Sequence, residues 1–286
     1  MVVVGDVATD VVAVLAGEPA PGSDRPATIR TRGGGAGANV AAHLAALGVP
    51  VLLAGCVGDD AAGTAQAGEL AAAGVRTALR RVAGAATGTI VSLVEPGGQR
   101  SMLADRGANL DLRAGDVPAP PPGGHLHLSG YTLLDERPRA AGLAALAAAR
   151  GAGCTVSVDP ASTGPLAASG VDRWLADTAG ADLLLPNADE ARLLTGCADA
   201  AAAARALAGR HAAVAVTLGA DGALWAAGGT LVHRPAHPAE VVDTTGAGDA
   251  FTAGLLAVWL AGGEPAAALD GGLARAAAVV GRPGAR

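Results

Sequence analysis

Residues 125–158, HLHLSGYTLLDERPRAAGLAALAAARGAGCTVSV, carry the pattern on which the architecture turns. His125 to Leu128 is a short apolar run. Pro138 to Arg150 then sets Ala, Leu and Arg at helical spacing, and Gly151 follows where a helix C-terminus favours glycine. Thr155 to Val158 is a second run of the strand type. Strand, helix and strand in about 34 residues form one crossover unit, which joins parallel neighbours in a sheet. His125 and His127 share one face of their strand, and neither has a Cys, Asp or Glu at metal spacing, so they read as core or edge histidines.

The same alternation extends outward in both directions. Strand-like runs recur at Val2 to Val4, Val51 to Ala54, Ile90 to Val94, Leu183 to Leu185 and Ala213 to Thr217. Between them lie helical patterns at Asn39 to Leu47, Thr64 to Ala73, Asp189 to Thr195 and Ala200 to Ala208, followed by Gly48, Gly74, Gly196 and Gly209. Near-continuous apolar strands mean burial on both faces, so the expectation is an α/β fold with a doubly wound, mostly parallel sheet flanked by helices. Ligands in such sheets sit beyond the carboxyl ends of the strands. Two segments break the rhythm, Ala8 to Arg32 and Arg76 to Asp105, the second around Pro96-Gly97-Gly98. Both alternate like half-exposed strands and are expected to form a small projecting β-sheet that covers a site as a lid. The uncovered face of such a sheet is an apolar liability that a second copy of the chain could bury, giving a homodimer.

At 286 residues and 51% hydrophobic content the chain suits a single α/β domain, 1–286, without linkers. Its 43 Gly and 17 Pro fall between apolar runs as turn punctuation. Net charge is -6, and all 20 basic residues are Arg. Without lysine, phosphate loops of the Gly-Lys-Ser/Thr kind and protein-kinase sites are excluded. The acidic balance without a basic run argues against nucleic acid as a partner. Cys56, Cys154 and Cys197 are far apart, as in a reduced cytoplasmic protein, and no run of transmembrane length suggests a membrane partner.

The chemistry concentrates in Asp243-Thr244-Thr245-Gly246-Ala247-Gly248-Asp249-Ala250-Phe251-Thr252. Small residues at the start of an apolar helix let backbone amides converge on an anion, helped by the helix dipole. Asp249 would be repelled by that anion, so it suits a group that handles a proton, and the combination reads as phosphoryl transfer to a hydroxyl. A capped turn is the plainer reading. Gly33-Gly34-Gly35-Ala36-Gly37-Ala38-Asn39 fits the dinucleotide fingerprint only in its loosest form; it suits a loop where a polyhydroxylated ligand touches backbone, with Asn39 offering donor and acceptor. Asp10 could accept from two sugar hydroxyls. Pro186-Asn187-Ala188-Asp189-Glu190 ends a buried run with an amide and acids, which suits helix capping or water-mediated Mg²⁺.

Together these pieces resemble the ribokinase-like (PfkB) family of carbohydrate and nucleoside kinases over nearly the whole chain. One family signature is similar to Gly34 to Asn39 followed by Leu47-Gly48 and Gly55 to Gly63, another to Asp243 to Phe251. Asn187-Ala188-Asp189-Glu190 resembles the family's Asn-x-x-Glu element, and Val216 to Gly222 its nucleotide-side strand and turn. The resemblance implies an ATP-dependent kinase of a sugar or a nucleoside. It implies Asp249 as base, an anion hole of Gly246, Ala247 and Gly248, and Asp10, Gly34, Gly35 and Asn39 on the sugar. Asn187 and Glu190 would organise Mg²⁺ and the nucleotide, Thr217, Gly219 and Gly222 would line the nucleotide cleft, and Asp243 and Thr245 would lie by a K⁺ site. Arg106 is a further candidate for meeting charge on the phosphoryl group. Ala8 and Ala36 stand where ribokinases carry Asn and Lys, which counts against ribose itself.

Overall fold

The computed structural model describes residues 1–286 except 19–20, 97–99, 282–283 and 286. Nine strands form one sheet: β1 (Val2–Val4), β4 (Leu52–Gly58), β5 (Arg76–Val82), β8 (His125–Ser129), β9 (Thr155–Asp159), β10 (Leu183–Leu184), β11 (Ala213–Thr217), β12 (Ala223–Ala227) and β13 (Thr230–Arg234). Their order is β13-β12-β11-β10-β9-β8-β1-β4-β5, parallel from β5 to β11 and antiparallel at β12 and β13. After β1 the chain first builds outward through β4 and β5, then returns to β8 on the other side. That reversal opens a crevice at the carboxyl end of β1 and β8, the position where open α/β sheets bind ligands.

Side-chain alternation divides the core in two. Leu126, Leu128, Val156, Val158, Leu184 and Val214 point into one layer, and Val3, Leu53, Leu183, Ala213 and Ala215 into the other. Helices cover both layers: α1 (Ala36–Ala46), α2 (Ala61–Ala72), α3 (Tyr131–Leu134), α4 (Glu136–Gly151), α5 (Thr163–Ser169), α6 (Val171–Thr178), α7 (Ala188–Thr195), α8 (Ala200–Ala208), α9 (Ala247–Trp259) and α10 (Pro265–Val280). In α4, Pro138, Ala141, Gly142, Ala145, Leu146 and Ala149 are buried, a stripe at three- and four-residue spacing. Burying each large aliphatic side chain against it contributes about 1.5–3 kcal/mol.

A separate four-stranded sheet has the order β3-β2-β6-β7, built from β2 (Ala8–Leu15), β3 (Ala27–Gly34), β6 (Gly88–Val94) and β7 (Arg100–Asp105). This is the expected lid, with one correction. The segment 76–105 divides, because β5 pairs with β4 at the edge of the large sheet, so the second lid segment begins at Gly88. An edge strand of a buried sheet and a strand of a projecting sheet share the same alternating pattern, since each has one wet side. Ile90 to Val94 accordingly belongs to the lid and not to the large sheet. Gly97 and Gly98 of the expected turn lie outside the described residues.

The lid returns into α1 through Gly35, whose φ of 91° is left-handed. A Cβ there would lie 2.4 Å from the Asp6 carbonyl oxygen. Gly35→Ala therefore combines backbone strain with a clash against main chain, and should cost at least about 2 kcal/mol in equilibrium urea unfolding. An unchanged midpoint would contradict this account of the turn.

Candidate active site

The two glycine-rich loops meet. Asn39, in the first turn of α1, donates from Nδ2 to Oδ2 of Asp249, in the first turn of α9, at 2.8 Å across 210 residues of sequence. Asn39 is 4% exposed, and its Oδ1 is buried with no hydrogen-bond partner among the described residues. A buried acceptor left unmade costs about 1–3 kcal/mol, so a ligand that donates to this oxygen would gain by completing it. On the lid, Asp10 lies so close to Gly34 that a Cβ at Gly34 would be 2.0 Å from Asp10 Oδ1. Glycine at 34 is what admits that carboxylate.

Gly246 caps α9 with φ 75° and ψ 2°. The Ala247 amide turns back onto the Thr244 carbonyl at 3.2 Å, so the expected trio of anion-binding amides is altered. Among the described residues no backbone carbonyl accepts from the amides of Gly246 or Gly248. Nothing would meet a Cβ at Gly248 within 4 Å, so this turn faces open space. Asp243 braces the loop from behind: Oδ1 accepts from the Thr245 amide at 2.8 Å and Oδ2 from the Gly284 amide at 2.9 Å.

That open space is a cleft of about 550 Å³ whose walls include Thr217, Gly219, Gly222, Ala247, Gly248 and Phe251. It brings Thr217, Gly219 and Gly222, expected from sequence to line a nucleotide, together with the 247–248 turn. A second depression of about 590 Å³ shares Thr217 and Gly219 and adds Asn187 and Asp189. Asn187 reaches this place through a bridge to Thr217 and through a reciprocal cap on α7. Its Oδ1 accepts from the Glu190 amide and its own amide donates to Glu190 Oε2, both at 2.9 Å. Helix capping is thus real, and it also fixes Glu190, 5% exposed, in place.

Burial pushes the Glu190 carboxyl up to about 7, with Asp159 adding to the effect and the Asn187 amide opposing it. Asp159, at the carboxyl end of β9, was not singled out by sequence, although it ends an apolar run just as Asn187 does. Its neighbour in the sheet, His127, is fully buried, with Nδ1 2.9 Å from Ser157 Oγ and Nε2 3.3 Å from Asp159 Oδ2. His125 bonds Thr155 and Ser157, and burial holds it down at about 3, so it is a neutral core histidine as expected. Tyr131 was also missed; burial first, then Asp6, Asp159 and Asp249, push its phenol up to about 12.

Arg106, the sequence candidate for meeting phosphoryl charge, sits in an ion-pair cluster. It donates to Asp6 from Nε at 2.9 Å and from Nη2 at 2.8 Å, holds Asp135 through Nη1, and stands 5.6 Å over the Tyr131 ring. Three of its five N–H donors go to Asp6 and Asp135, which ties the end of β1 to the start of α4.

A family model described as pfkB family carbohydrate kinase matches residues 1–286. The chain belongs to the pfkB family of carbohydrate kinases. This kinase is 36% identical over 288 residues to the ATP-dependent ribose-1-phosphate kinase of Halopiger xanaduensis, covering 93% of this chain and 87% of that one. It is 36% identical over 243 residues to a fructokinase of Klebsiella pneumoniae, covering 81% and 78%. In three dimensions it matches an Escherichia coli protein named for ribokinase II, solved in complex with ATP and Mg²⁺, with a TM-score of 0.87, 26% identity and coverage of 99% and 93%. The chain is therefore a sugar or nucleoside kinase, a phosphotransferase acting on a hydroxyl group. Among the described residues no helix is long and apolar enough to cross a membrane.

Glu190 offers a test of the electrostatics in the pfkB kinase without ligand. Its carboxyl is protonated in both states below about pH 4.5, and only in the folded state from there to about 7. Folding is therefore penalised increasingly over that interval, by about 3 kcal/mol once pH exceeds 7. Glu190→Gln should be more stable than the parent at pH 8 and nearly equal to it at pH 4.5 in urea unfolding; equal or lower stability at pH 8 would contradict the assignment.

Proposed function

We propose that this kinase transfers the γ-phosphoryl group of ATP to a primary hydroxyl of a sugar or sugar-like small molecule, with Asp249 receiving the hydroxyl proton. The contact between Asn39 and Asp249 carries the reading: it puts an orphaned buried acceptor and a carboxylate side by side where the sugar loop meets the nucleotide cleft. A substrate hydroxyl donating to Asn39 Oδ1 would lie beside the carboxylate that takes its proton.

A sugar hydroxyl is far too weak an acid for Asp249 to deprotonate at equilibrium. The phosphoryl transition state is loose and the nucleophile's proton leaves late, so an oriented acceptor is enough. Asn39 supplies the orientation by holding Oδ2. Asp10 would accept from two further hydroxyls, and Gly34 and Gly35 let the sugar approach the backbone. Thr217, Gly219 and Gly222 would line the nucleotide, and the amides of Gly246 and Gly248 would meet the charge that develops on the transferred group. Each such donor in a water-poor site contributes a few kcal/mol to the transition state. With no lysine in the chain and Arg106 paired with Asp6 and Asp135, these amides would bear much of that charge.

Mg²⁺ fits the residues present. Glu190 is a carboxyl held near 7 by burial and by Asp159, the kind of site that a divalent cation relieves. Glu190 and Asn187 would hold the ion, through water, and when bound it would neutralise the nucleotide phosphates.

Asp249→Asn should keep the fold and ATP binding while lowering turnover by about 10²–10⁴-fold, followed as ADP release against a panel of sugars and nucleosides. Unchanged turnover would remove Asp249 from the mechanism. Phosphorylation of nucleosides and of no sugar would overturn the acceptor class.

A further inference from the structure

One face of α1 serves both ends of the anion loop. Asn39 and His43 are four residues apart on this helix, so they project from the same side about one turn apart, and both are buried. Asn39 holds Asp249. His43 reaches past the end of α10, where its Nε2 lies 2.9 Å from the carbonyl oxygen of Ala285. Its Nδ1 lies 3.0 Å from Nη2 of Arg275, on α10 itself. Glycine at 254 of α9 admits Arg275, since a Cβ there would stand 2.8 Å from the Arg275 Cβ.

The two contacts fix the state of the ring. A guanidinium only donates, so Nδ1 accepts from Arg275 and the ring proton sits on Nε2, which donates it to Ala285. Ala285 is buried against the residue that caps α9: a Cβ at Gly246 would come within 2.5 Å of the Ala285 Cβ. The neighbouring Gly284 amide donates to Asp243 Oδ2, and the Thr245 amide donates to Asp243 Oδ1. The amides of Val242 and Asp243 donate to the Val280 carbonyl at the end of α10, at 2.8 and 3.1 Å. Residues 242–246 therefore rest on α10 and on Gly284 and Ala285, and His43 ties Ala285 to α1.

We propose that His43 is a positioning residue for phosphoryl transfer: by holding Ala285 on Gly246 it sets the amides of Gly246 and Gly248 relative to Asp249, which the same helix face holds through Asn39. This role rests on the reading under Proposed function, in which those amides meet the charge on the transferred group. The proton acceptor and the amides must be placed together, because the transferred group lies between them in the transition state. A displacement of about 1 Å can lower a rate roughly 10²-fold. A neutral ring bonded to a main-chain carbonyl constrains the loop without adding charge beside the anion.

The test uses the whole chain with ATP, Mg²⁺ and the best acceptor of the panel. His43→Asn keeps an acceptor for Arg275 and is too short to reach Ala285, whereas His43→Gln is long enough to donate to it. In His43→Asn kcat should fall about tenfold or more, with KM for both substrates within about threefold of the parent, and His43→Gln should recover most of the loss. ADP with aluminium fluoride, a mimic of the phosphoryl group in transfer, should bind His43→Asn more weakly by about the factor lost from kcat, while ADP alone binds as before. Circular dichroism checks the fold; if His43→Asn does not fold, Ala285→Gly, which keeps the carbonyl and removes the methyl on Gly246, takes its place with the same expected loss of kcat. Equal kcat in the Asn and Gln variants, a loss confined to KM, aluminium fluoride binding as in the parent, or unchanged kcat in Ala285→Gly overturns the inference and leaves the kinase reading standing. Turnover of no acceptor by the parent, with ATP bound, overturns both.

Discussion

The contact on which the site depends is the hydrogen bond from Asn39 to Asp249. It joins the first turns of two helices that enter the structure 210 residues apart, one fed by the lid and the other by the anion loop. Each helix packs on the same core layer, so the meeting point is held by the sheet and by burial of residues such as Leu44, Phe251 and Leu255. A bond between two partly desolvated polar groups is strong only when both are held still, and here the core does the holding. The proposed proton acceptor and the proposed sugar loop are thereby set in one frame before any ligand arrives.

Around that frame the electrostatics are arranged by division of labour. Asp6 and Asp135 occupy Arg106, Asp243 occupies two backbone amides, and Asn187 caps α7 while seating Glu190. Left without a partner among the described residues is the buried Asn39 carbonyl oxygen, the amides of Gly246 and Gly248 have no backbone acceptor, and burial holds back the ionisation of Glu190. Ligand binding in such a site completes interactions that folding leaves open, which lowers the reorganisation required at the moment of transfer.

Much of this was legible in sequence because glycines and periodicity act locally. The helix at 136–151 and its flanking strands follow from one short window, and the loop at 243–252 shows its small residues and its acid in order. Edge relationships were not legible. Arg76 to Val82 has the alternation of a lid strand because an outer strand of the large sheet is also wet on one side, and only pairing with β4 distinguishes the two. Arg106 looked available because its partners, Asp6 and Asp135, are 100 and 29 residues away. The Ala247 amide looked free because a single turn back to Thr244 leaves no mark in composition. Asp159 did leave a mark, an acid closing an apolar run, and the rule that singled out Asn187 applies to it equally.

The central claim is that Asn39 acts on turnover through Asp249. A double-mutant cycle on kcat with the best acceptor tests it directly: Asn39→Ala, Asp249→Ala and the pair together. If the carboxamide orients the carboxylate, the double variant should turn over within about threefold of Asp249→Ala alone, because residues that act as a unit are strongly non-additive. Effects on kcat that multiply would show that the two side chains act independently, and would contradict the account.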